Sequence, residues 1–325
     1  MQNSELLYLT RADMDSIGPT LAEIVVLLER VFRLKEEGKT VLPPKHWLER
    51  TGDRFYSAMS SYVAELGFAG CKWQSGDPLN SKRGFPYIQG LYILTEDDRG
   101  VPVAVMDSEW ITERRTAAAS ALAVKYLMRP RAETLAILGC GLQGRAHLEA
   151  IRSVMPDMKT ARAFDIRREV SERFASELGP RFGLKVEAVE SARAAVTGAD
   201  VVISGGPITN PPKPTIESNW LADGVVGVAI DYDAYWTRSA VESMQLVITD
   251  DRGQIEHLRE YGFFLGVPRL DGELSSVIAG KLPARKSASD RVLCFNLGIA
   301  IEDLATATEL YARTKGKSAG RVLPR

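Results

Sequence analysis

The sequence predicts an α/β fold, with a doubly wound parallel sheet in the C-terminal half of the chain and a small mixed sheet in the N-terminal part. Two observations predict the larger sheet. Short apolar segments alternate with helical stretches between residues 134 and 250, and a glycine-rich loop follows the first of these segments. Such alternation is typical of a parallel sheet with right-handed crossovers and helices on both faces.

A helix is predicted near the N-terminus. Thr20 and Glu23 have the spacing of a capping box, apolar residues follow at helical spacing, and Gly38 is typical of the residue that ends a helix. The turn at Pro43 and Pro44 precedes three segments punctuated by Gly, Pro and Asn, which predict the mixed sheet. These segments are Arg54–Val63, Gly67–Gln74 and Tyr87–Leu94.

The alanine-rich segment Ile111–Met128 predicts a long helix that stops before Pro130 and bridges two domains. Glu169–Leu178 predicts one helix between strands, and the amphipathic segment Ala300–Tyr311 predicts another near the end of the chain. The strand candidates of the parallel sheet are Thr134–Leu138, Thr160–Asp165, Leu184–Val189, Asp200–Ser204, Val225–Ile230 and Leu246–Asp250.

Length and composition restrict the class of protein. At 325 residues the chain is long enough for two domains, and a net charge of −1 gives no electrostatic reason to expect nucleic acid or a membrane as partner. The cysteines Cys71, Cys140 and Cys294 are far apart, which predicts neither a disulfide framework nor a metal site. The N-terminus lacks a secretory pattern. We therefore expect a cytoplasmic protein with a small-molecule partner and no metal.

The glycine-rich loop predicts a dinucleotide site of the Rossmann type. Gly139, Gly141 and Gly144 follow the strand Thr134–Leu138 and open a helix, and Asp165 ends the next strand 21 positions beyond Gly144 (165 − 144). This spacing suits a carboxylate that binds the ribose hydroxyls while the helix N-terminus binds the pyrophosphate. The alternative is a tight turn followed by a solvated strand end.

Asp165 favours NAD over NADP, because its carboxylate would repel a 2′-phosphate. Arg167 and Arg168 lie close enough in sequence to accommodate such a phosphate, so NADP stays possible.

Several segments together resemble the ornithine cyclodeaminase/mu-crystallin family, which includes amino-acid dehydrogenases and ketimine reductases. The resemblance covers nearly the whole chain and rests on the order and spacing of seven segments. They are Gly70–Trp73, Gly84–Leu91, Met106-Asp107, Ile111–Ala117, Gly139–Gly144, Asp231–Asp233 and Leu297–Asp303.

The resemblance implies a Rossmann domain over residues 119–298 and a discontinuous α+β substrate and dimerisation domain formed by residues 1–118 and 299–325. It further implies a homodimer and an active site in the cleft between the domains, outside the carboxyl ends of the parallel strands. Taken together, the fingerprint and the resemblance predict nine cofactor-binding positions: Thr116, Gly139, Gly141, Leu142, Gln143, Gly144, Asp165, Arg167 and Gly298.

Lys72 and Arg115 match family positions that bind the substrate α-carboxylate, and Lys45 falls near a third basic position. A carboxylate held by charge-assisted bonds would present its Cα to the nicotinamide. The alternative for each residue is an ordinary solvated charge. Lys72 lies between Cys71 and Trp73 in an apolar strand, where an unpaired ammonium would be costly.

Asp233 matches the catalytic aspartate of the family, and Lys72 is the second candidate for the catalytic step. A carboxylate after the strand Val225–Ile230 could act as the general base that oxidation of an amine requires. The alternative is a turn aspartate in Asp231-Tyr232-Asp233. Asp231 stands where relatives often have glycine.

The expected activity is that of a dehydrogenase or ketimine reductase acting on the C–N bond of a small amino acid or its imine. Cyclodeaminases of the family carry an acid on the strand that matches Arg54–Val63, and this strand has none. Cyclodeamination with catalytic NAD is therefore the second hypothesis. A crystallin-like protein that binds NAD(P)H without turnover is the third.

Overall fold

The computed structural model describes residues 5–51, 54–209 and 211–324, and the chain divides into two compact units. The first unit contains Met1–Arg115 and Ile299–Arg325, and the second contains Thr116–Gly298.

The first unit begins with a strand, two helices and then five further strands. Thr10 and Thr20 each form a capping box. The threonine hydroxyl accepts a hydrogen bond from the backbone N–H of an acid three residues later, and the carboxylate of that acid accepts one from the backbone N–H of the threonine. The elements are β1 (Glu5–Leu9), α1 (Arg11–Ile17), α2 (Leu21–Glu36), β2 (His46–Arg50), β3 (Arg54–Val63), β4 (Phe68–Gly76), β5 (Ile88–Glu96) and β6 (Val101–Asp107).

A long helix and then alternating strands and helices follow. They are α3 (Ser108–Leu127), β7 (Thr134–Leu138), α4 (Leu142–Val154), β8 (Thr160–Phe164), α5 (Arg168–Phe182), β9 (Lys185–Ala188), α6 (Ala192–Val196), β10 (Val201–Ser204), β11 (Val226–Ala229), α7 (Arg238–Glu242), β12 (Leu246–Thr249), α8 (Arg252–Arg259), β13 (Gly272–Glu273), α9 (Leu274–Ile278) and β14 (Val292–Phe295). The chain then returns to the first unit with α10 (Ala300–Thr314) and β15 (Arg321–Pro324).

The first unit is built on a mixed sheet in the order β15-β1-β6-β5-β4-β3-β2. All neighbours are antiparallel except β1 and β6, which are parallel. Helix α10 packs against β3, β4 and α2, and Ser61 of β3 donates a hydrogen bond from its hydroxyl to the carbonyl of Ala300 at 3.0 Å. The first and last strands of the chain therefore pair within one sheet.

The second unit is a parallel sheet in the order β13-β12-β14-β11-β10-β7-β8-β9. Its strands are four or five residues long except β13, and β10, β11, β12 and β14 are buried along their whole length. This burial explains their continuous apolar sequences, because both faces of such a sheet are covered. The predicted doubly wound α/β fold with a second α+β domain is confirmed.

The structure contains strands that the sequence analysis did not identify. β14 lies between β11 and β12 in the sheet, and no element was predicted at its four residues. β1, β2, β6 and β15 complete the mixed sheet, and the polar segment after Thr10 forms α1. Within the described ranges, no helix has the length and apolar character that crossing a membrane requires.

Candidate active site

The phosphate loop leaves the end of β7 at a glycine that no other residue could replace without strain. Gly139 has φ +98°, and a Cβ there would lie 2.4 Å from the carbonyl oxygen of Gly205. A Cβ on Gly144 would lie 2.2 Å from the carbonyl oxygen of Gly139. These two glycines therefore serve close packing of the loop against β10 and α4, as the fingerprint requires.

Gly141 differs from the other two, since a Cβ there would meet nothing within 4 Å. It is exposed and forms the N-cap of α4 without a side-chain hydrogen bond, so the first N–H groups of this 13-residue helix have no capping side chain. Leu142 is 44% exposed beside it. The open space and the uncapped helix end fit a dinucleotide pyrophosphate.

Asp165 is tied to the phosphate loop. Its Oδ2 accepts a hydrogen bond from the backbone N–H of Cys140 at 3.0 Å, and its Oδ1 accepts one from the backbone N–H of Arg167 at 3.0 Å. The Arg167 side chain is 66% exposed, and its Nε lies 3.9 Å from Oδ1 of Asp165. Arg168 forms ion pairs with Glu172 and Glu190. Each carboxylate oxygen keeps a second lone pair for a ribose hydroxyl.

Two further predicted cofactor residues lie at fixed positions in the second unit. Gly298 has φ +73°, and its N–H donates to Oδ2 of Asp250 at 2.7 Å. Thr116 is half-buried on α3.

A buried histidine, His147, stabilises the start of helix α4. The Nδ1 of His147 lies 2.7 Å from the carbonyl oxygen of Gln143, and its Nε2 lies 2.9 Å from the hydroxyl of Ser120 on α3. Burial lowers the pKa of His147 to about 4, so the ring is neutral at physiological pH. His147 is a structural residue, and its isolation in the sequence gave no indication of this role.

The carboxyl edge of the sheet, where β10 and β11 end, carries two buried aspartates. Asp231 is 1% exposed and Asp233 is 7% exposed. Oδ2 of Asp233 accepts a hydrogen bond from the backbone N–H of Phe264 at 2.8 Å, whereas its buried Oδ1 has no partner among the described residues. Burial raises the pKa of Asp233. A carboxylate with one fixed and one unpaired oxygen can accept a proton from a ligand.

The first unit brings basic residues together in what we call the cation cluster: Lys45, Lys72 and Arg115. Lys72 is fully buried, and its Nζ lies 3.0 Å from Oδ1 of Asp303 and 3.0 Å from the hydroxyl of Thr112. Lys45 is 7% exposed and Arg115 is 5% exposed. Burial lowers the pKa of Lys72 to about 7, although Asp303 raises it, and the charges of Arg115 and Lys45 lower it further.

Arg115 is held by two acids on one turn of α10. Its Nη1 lies 3.0 Å from Oε2 of Glu302, and its Nε lies 3.0 Å from Oδ1 of Asp303. Both acids are fully buried. Oδ2 of Asp303 has no hydrogen-bond partner among the described residues. The ammonium of Lys72 and the guanidinium of Arg115 are donors of the kind that bind an anionic ligand.

Glu302 and Asp303 were not selected from the sequence as site residues. Their signal was present: they lie in the first turn of an amphipathic helix between Ile301 and Leu304, on the face that becomes buried. Acids on an apolar helix face are almost never buried without a partner. No group of His, Cys, Asp and Glu suited to a metal occurs among the residues that the structure describes.

Comparison with known proteins gives a consistent result over the whole chain. The sequence profile of the ornithine cyclodeaminase/mu-crystallin family matches residues 9–318. Alanine dehydrogenase of Archaeoglobus fulgidus is 31% identical over 326 residues, with 97% of each chain covered.

Solved structures agree. Thermococcus litoralis Delta(1)-pyrroline-2-carboxylate reductase in complex with NADH and L-proline is 27% identical with a TM-score of 0.89, covering 97% of this chain and 99% of that one. An archaeal alanine dehydrogenase dimer with bound NAD is 30% identical with a TM-score of 0.87, covering 98% and 99%. The chain therefore belongs to the ornithine cyclodeaminase/mu-crystallin family.

Proposed function

We propose that this protein is an NAD-dependent oxidoreductase that acts on the C–N bond of a small amino acid or of its imine. The observation that carries the proposal is the unpaired, buried Oδ1 of Asp233 at the carboxyl edge of a sheet that also carries a complete phosphate loop. Related proteins with NAD or NADH bound include a pyrroline-carboxylate reductase and an alanine dehydrogenase. Bound nicotinamide supplies or accepts the hydride.

The cation cluster binds the α-carboxylate of the substrate. Arg115 suits this role because its planar guanidinium presents several donors, and its Nε and Nη1 are already fixed by Asp303 and Glu302. Its orientation is thus set before a ligand arrives, which lowers the entropy cost of binding. Lys72, held by Asp303 and Thr112, adds a second positive charge, and Lys45 adds a third.

Asp233 moves the proton. In the oxidative direction its Oδ1 accepts a proton from the substrate ammonium or from the water that attacks the imine carbon, and in the reductive direction it returns one. Burial raises its pKa, which brings the carboxyl closer to the working pH of a general acid and base.

Net redox chemistry is preferred over cyclodeamination because the strand β3 offers no acid for a distal amine. Its buried polar side chains are Ser57 and Ser61, and Ser57 lies 3.0 Å from the amide nitrogen of Gln74. A substrate ammonium beside these residues would have no counter-charge from this strand.

NAD is preferred over NADP because Asp165 is fixed at the phosphate loop and Arg168 is engaged by Glu172 and Glu190. We place the protein in the cytoplasm, since Cys71, Cys140 and Cys294 form no disulfide within the described part of the chain.

We also propose a homodimer. Large apolar side chains remain exposed on strands β4 and β5 of the first unit: Trp73, Leu91 and Ile93 are 47%, 45% and 43% exposed. They project from the face opposite Lys72 and Tyr92, which are fully buried, and the described residues cover this sheet face only in part. A related archaeal alanine dehydrogenase is a dimer.

A substrate panel tests the function. Purified protein is incubated with NAD and single amino acids, and with NADH or NADPH and keto acids plus ammonia or cyclic imines, while nicotinamide absorbance and product mass are followed. We expect reversible oxidation and reduction of small α-amino acids or imines. Cyclic product without change in NADH would favour cyclodeamination, and NADH binding without turnover of any compound would favour a binding protein.

A further inference from the structure

Asp231 connects two loops at the carboxyl edge of the parallel sheet. It follows β11, and its Oδ1 accepts a hydrogen bond from the hydroxyl of Ser204 at the end of β10, at 2.8 Å. Its Oδ2 accepts one from the backbone N–H of Gly206 at 3.0 Å. Since Asp231 is 1% exposed, these bonds form away from solvent and fix the segment after β10 to the segment after β11.

Two neighbours strengthen the same connection. The indole N–H of Trp236 donates to the Ser204 hydroxyl oxygen at 3.0 Å, which leaves the hydroxyl proton for Asp231. The hydroxyl of Tyr235 donates to the carbonyl of Pro207 at 3.1 Å. Two side chains of the segment 231–236, Asp231 and Tyr235, therefore hold the loop of residues 205–207 from one side, and Trp236 holds Ser204 just before it.

This loop borders the phosphate loop. The backbone N–H of Gly205 donates to the carbonyl of Leu138 at 2.9 Å, and the carbonyl oxygen of Gly205 occupies the position where a side chain on Gly139 would lie. A displacement of Gly205 would therefore alter the packing of the first glycine of the dinucleotide fingerprint. Asp231 is therefore connected to the expected cofactor site through Gly206, which it binds, and Gly205, which packs against Gly139.

On its other side, Asp231 is two residues from Asp233. Tyr232 between them has φ +60°, a conformation that costs a non-glycine residue about 1–2 kcal/mol. Its ring packs against Phe263 and Phe264, with centroids 5.3 and 5.5 Å away, and Phe264 supplies the N–H that binds Asp233. A strained residue of this kind persists when its surroundings fix both flanks. Here one flank is fixed by the bonds of Asp231.

We propose that Asp231 is a positioning residue of the active site, which holds the loop beside the phosphate loop and the backbone that orients Asp233. The inference rests on the proposed function for its catalytic part, and on the dinucleotide fingerprint alone for its cofactor part.

The proposed role of Asp231 depends on its two carboxyl oxygens as hydrogen-bond acceptors, and its charge state is consistent with this role. The donors that it binds are neutral, and burial raises its pKa to about 7, helped by the nearby charge of Asp233. Tyr235 is the other titratable neighbour, and its pKa is raised to about 12 by burial and by Asp231. In either charge state the carboxyl keeps an acceptor for Ser204 or Gly206.

The test uses Asp231→Ala and Asp231→Asn in the full chain. A misplacement of about 1 Å can cost about 100-fold in rate, so we expect Asp231→Ala to lower kcat by about 10- to 100-fold and to raise the dissociation constant of NADH. Asp231→Asn keeps one carbonyl oxygen and should restore part of both values. The KM of the amino acid should change little, because the cation cluster of the first unit is untouched.

Asp200→Asn is the matched control. Asp200 is also a buried carboxylate of the second unit that binds backbone N–H groups, those of Glu133 and Thr134 at 2.8 and 2.9 Å, but it lies where β7 and β10 begin. All variants are measured at a temperature where circular dichroism shows them folded. If Asp200→Asn lost NADH affinity and kcat equally, the effect would be general destabilisation and the inference would be wrong.

The inference about Asp231 would also be wrong if the Asp231→Ala variant kept wild-type kcat and wild-type NADH affinity. The proposed function and the positioning role of Asp231 can fail separately. If the wild-type protein turns over no compound of the panel, the proposed function fails, while NADH fluorescence titration of the variants still decides whether Asp231 positions the cofactor loop.

Discussion

Nζ of Lys72 and Oδ1 of Asp303 lie 3.0 Å apart with both side chains fully excluded from solvent, and 231 positions separate them in the sequence. Removing two charges from water costs several kcal/mol per ion, so a buried pair is weak evidence for a purely stabilising role. The same Asp303 oxygen also accepts from Arg115. One acid thus fixes two of the cations that we assign to the substrate carboxylate.

Replacing Asp303 by Asn should destabilise the protein by about 3–5 kcal/mol, because Lys72 and Arg115 would remain buried with less counter-charge. Urea denaturation followed by circular dichroism measures the free energy of unfolding. Glu309→Gln on the same helix is the control: its ion pair with Arg313 is 29% and 27% exposed and should contribute less than about 1 kcal/mol. Equal losses in both variants would contradict the assignment of Asp303.

Replacing Asp233 by Asn should leave NADH binding nearly intact and lower kcat about 10²- to 10⁴-fold, because the substitution removes a general base. Stopped-flow turnover and NADH titration check the two parts. Arg115→Ala is the counterpart that affects positioning, and it should chiefly raise KM. Wild-type turnover of Asp233→Asn across the pH range would move the base to another residue, and loss of NADH binding would show a structural role instead.

The pKa of Lys72 predicts how substrate affinity depends on pH. Burial lowers it to about 7, so the ammonium is charged below that pH and increasingly neutral above it. The dissociation constant of a carboxylate ligand such as pyruvate, measured by calorimetry on the NADH complex, should therefore rise as pH increases through 7. The Lys72→Met variant should bind the carboxylate ligand weakly, and its dissociation constant should not rise as the pH increases through 7. If the dissociation constant of the Lys72→Met variant rose by the same factor through pH 7, the titrating group would be another residue.

Several elements of the fold could be predicted from local sequence, whereas the roles of the candidate site residues stay predictions. The structure confirms β3 and β7 at their predicted bounds and the start of α2 after Thr20, because alternation and capping boxes are local signals. The burial of Asp303 is indicated by its place on an apolar helix face, but its pairing could not be predicted, since Lys72 is distant in sequence. For the same reason β1 was missed: it acquires its neighbours from β6 and from β15 at the other end of the chain.

Cofactor preference should depend on Asp165. Calorimetric titration should show tighter binding of NADH than of NADPH to the wild-type protein, because a 2′-phosphate would meet a carboxylate fixed by the N–H groups of Cys140 and Arg167. Asp165→Ser should reduce this preference. Arg168→Ala is the control that should not change it, since that guanidinium is engaged by Glu172 and Glu190. Tighter NADPH binding by the wild type would show that the arginines outweigh the carboxylate.

The exposed sheet face of the first unit predicts the oligomeric state. Light scattering should give at least twice the chain mass of 35.7 kDa at micromolar concentration. Ile93→Asp should shift the mass towards one chain, because a buried, unpaired carboxylate would disfavour association. Ile166→Asp offers a matched control, as this residue is 87% exposed and lies after β8 of the second unit. A wild-type monomer across this range would remove the proposal.

The discontinuity of the first unit has a consequence for biosynthesis. A ribosome completes the whole dinucleotide-binding unit, Thr116–Gly298, before it makes any of α10. Until residue 303 is added, Lys72 and Arg115 lack the acid that both contact, so the nascent first unit cannot bury them without uncompensated charge. A message cut short after β14 would therefore yield a product in which these two cations stay hydrated and the first unit stays incomplete.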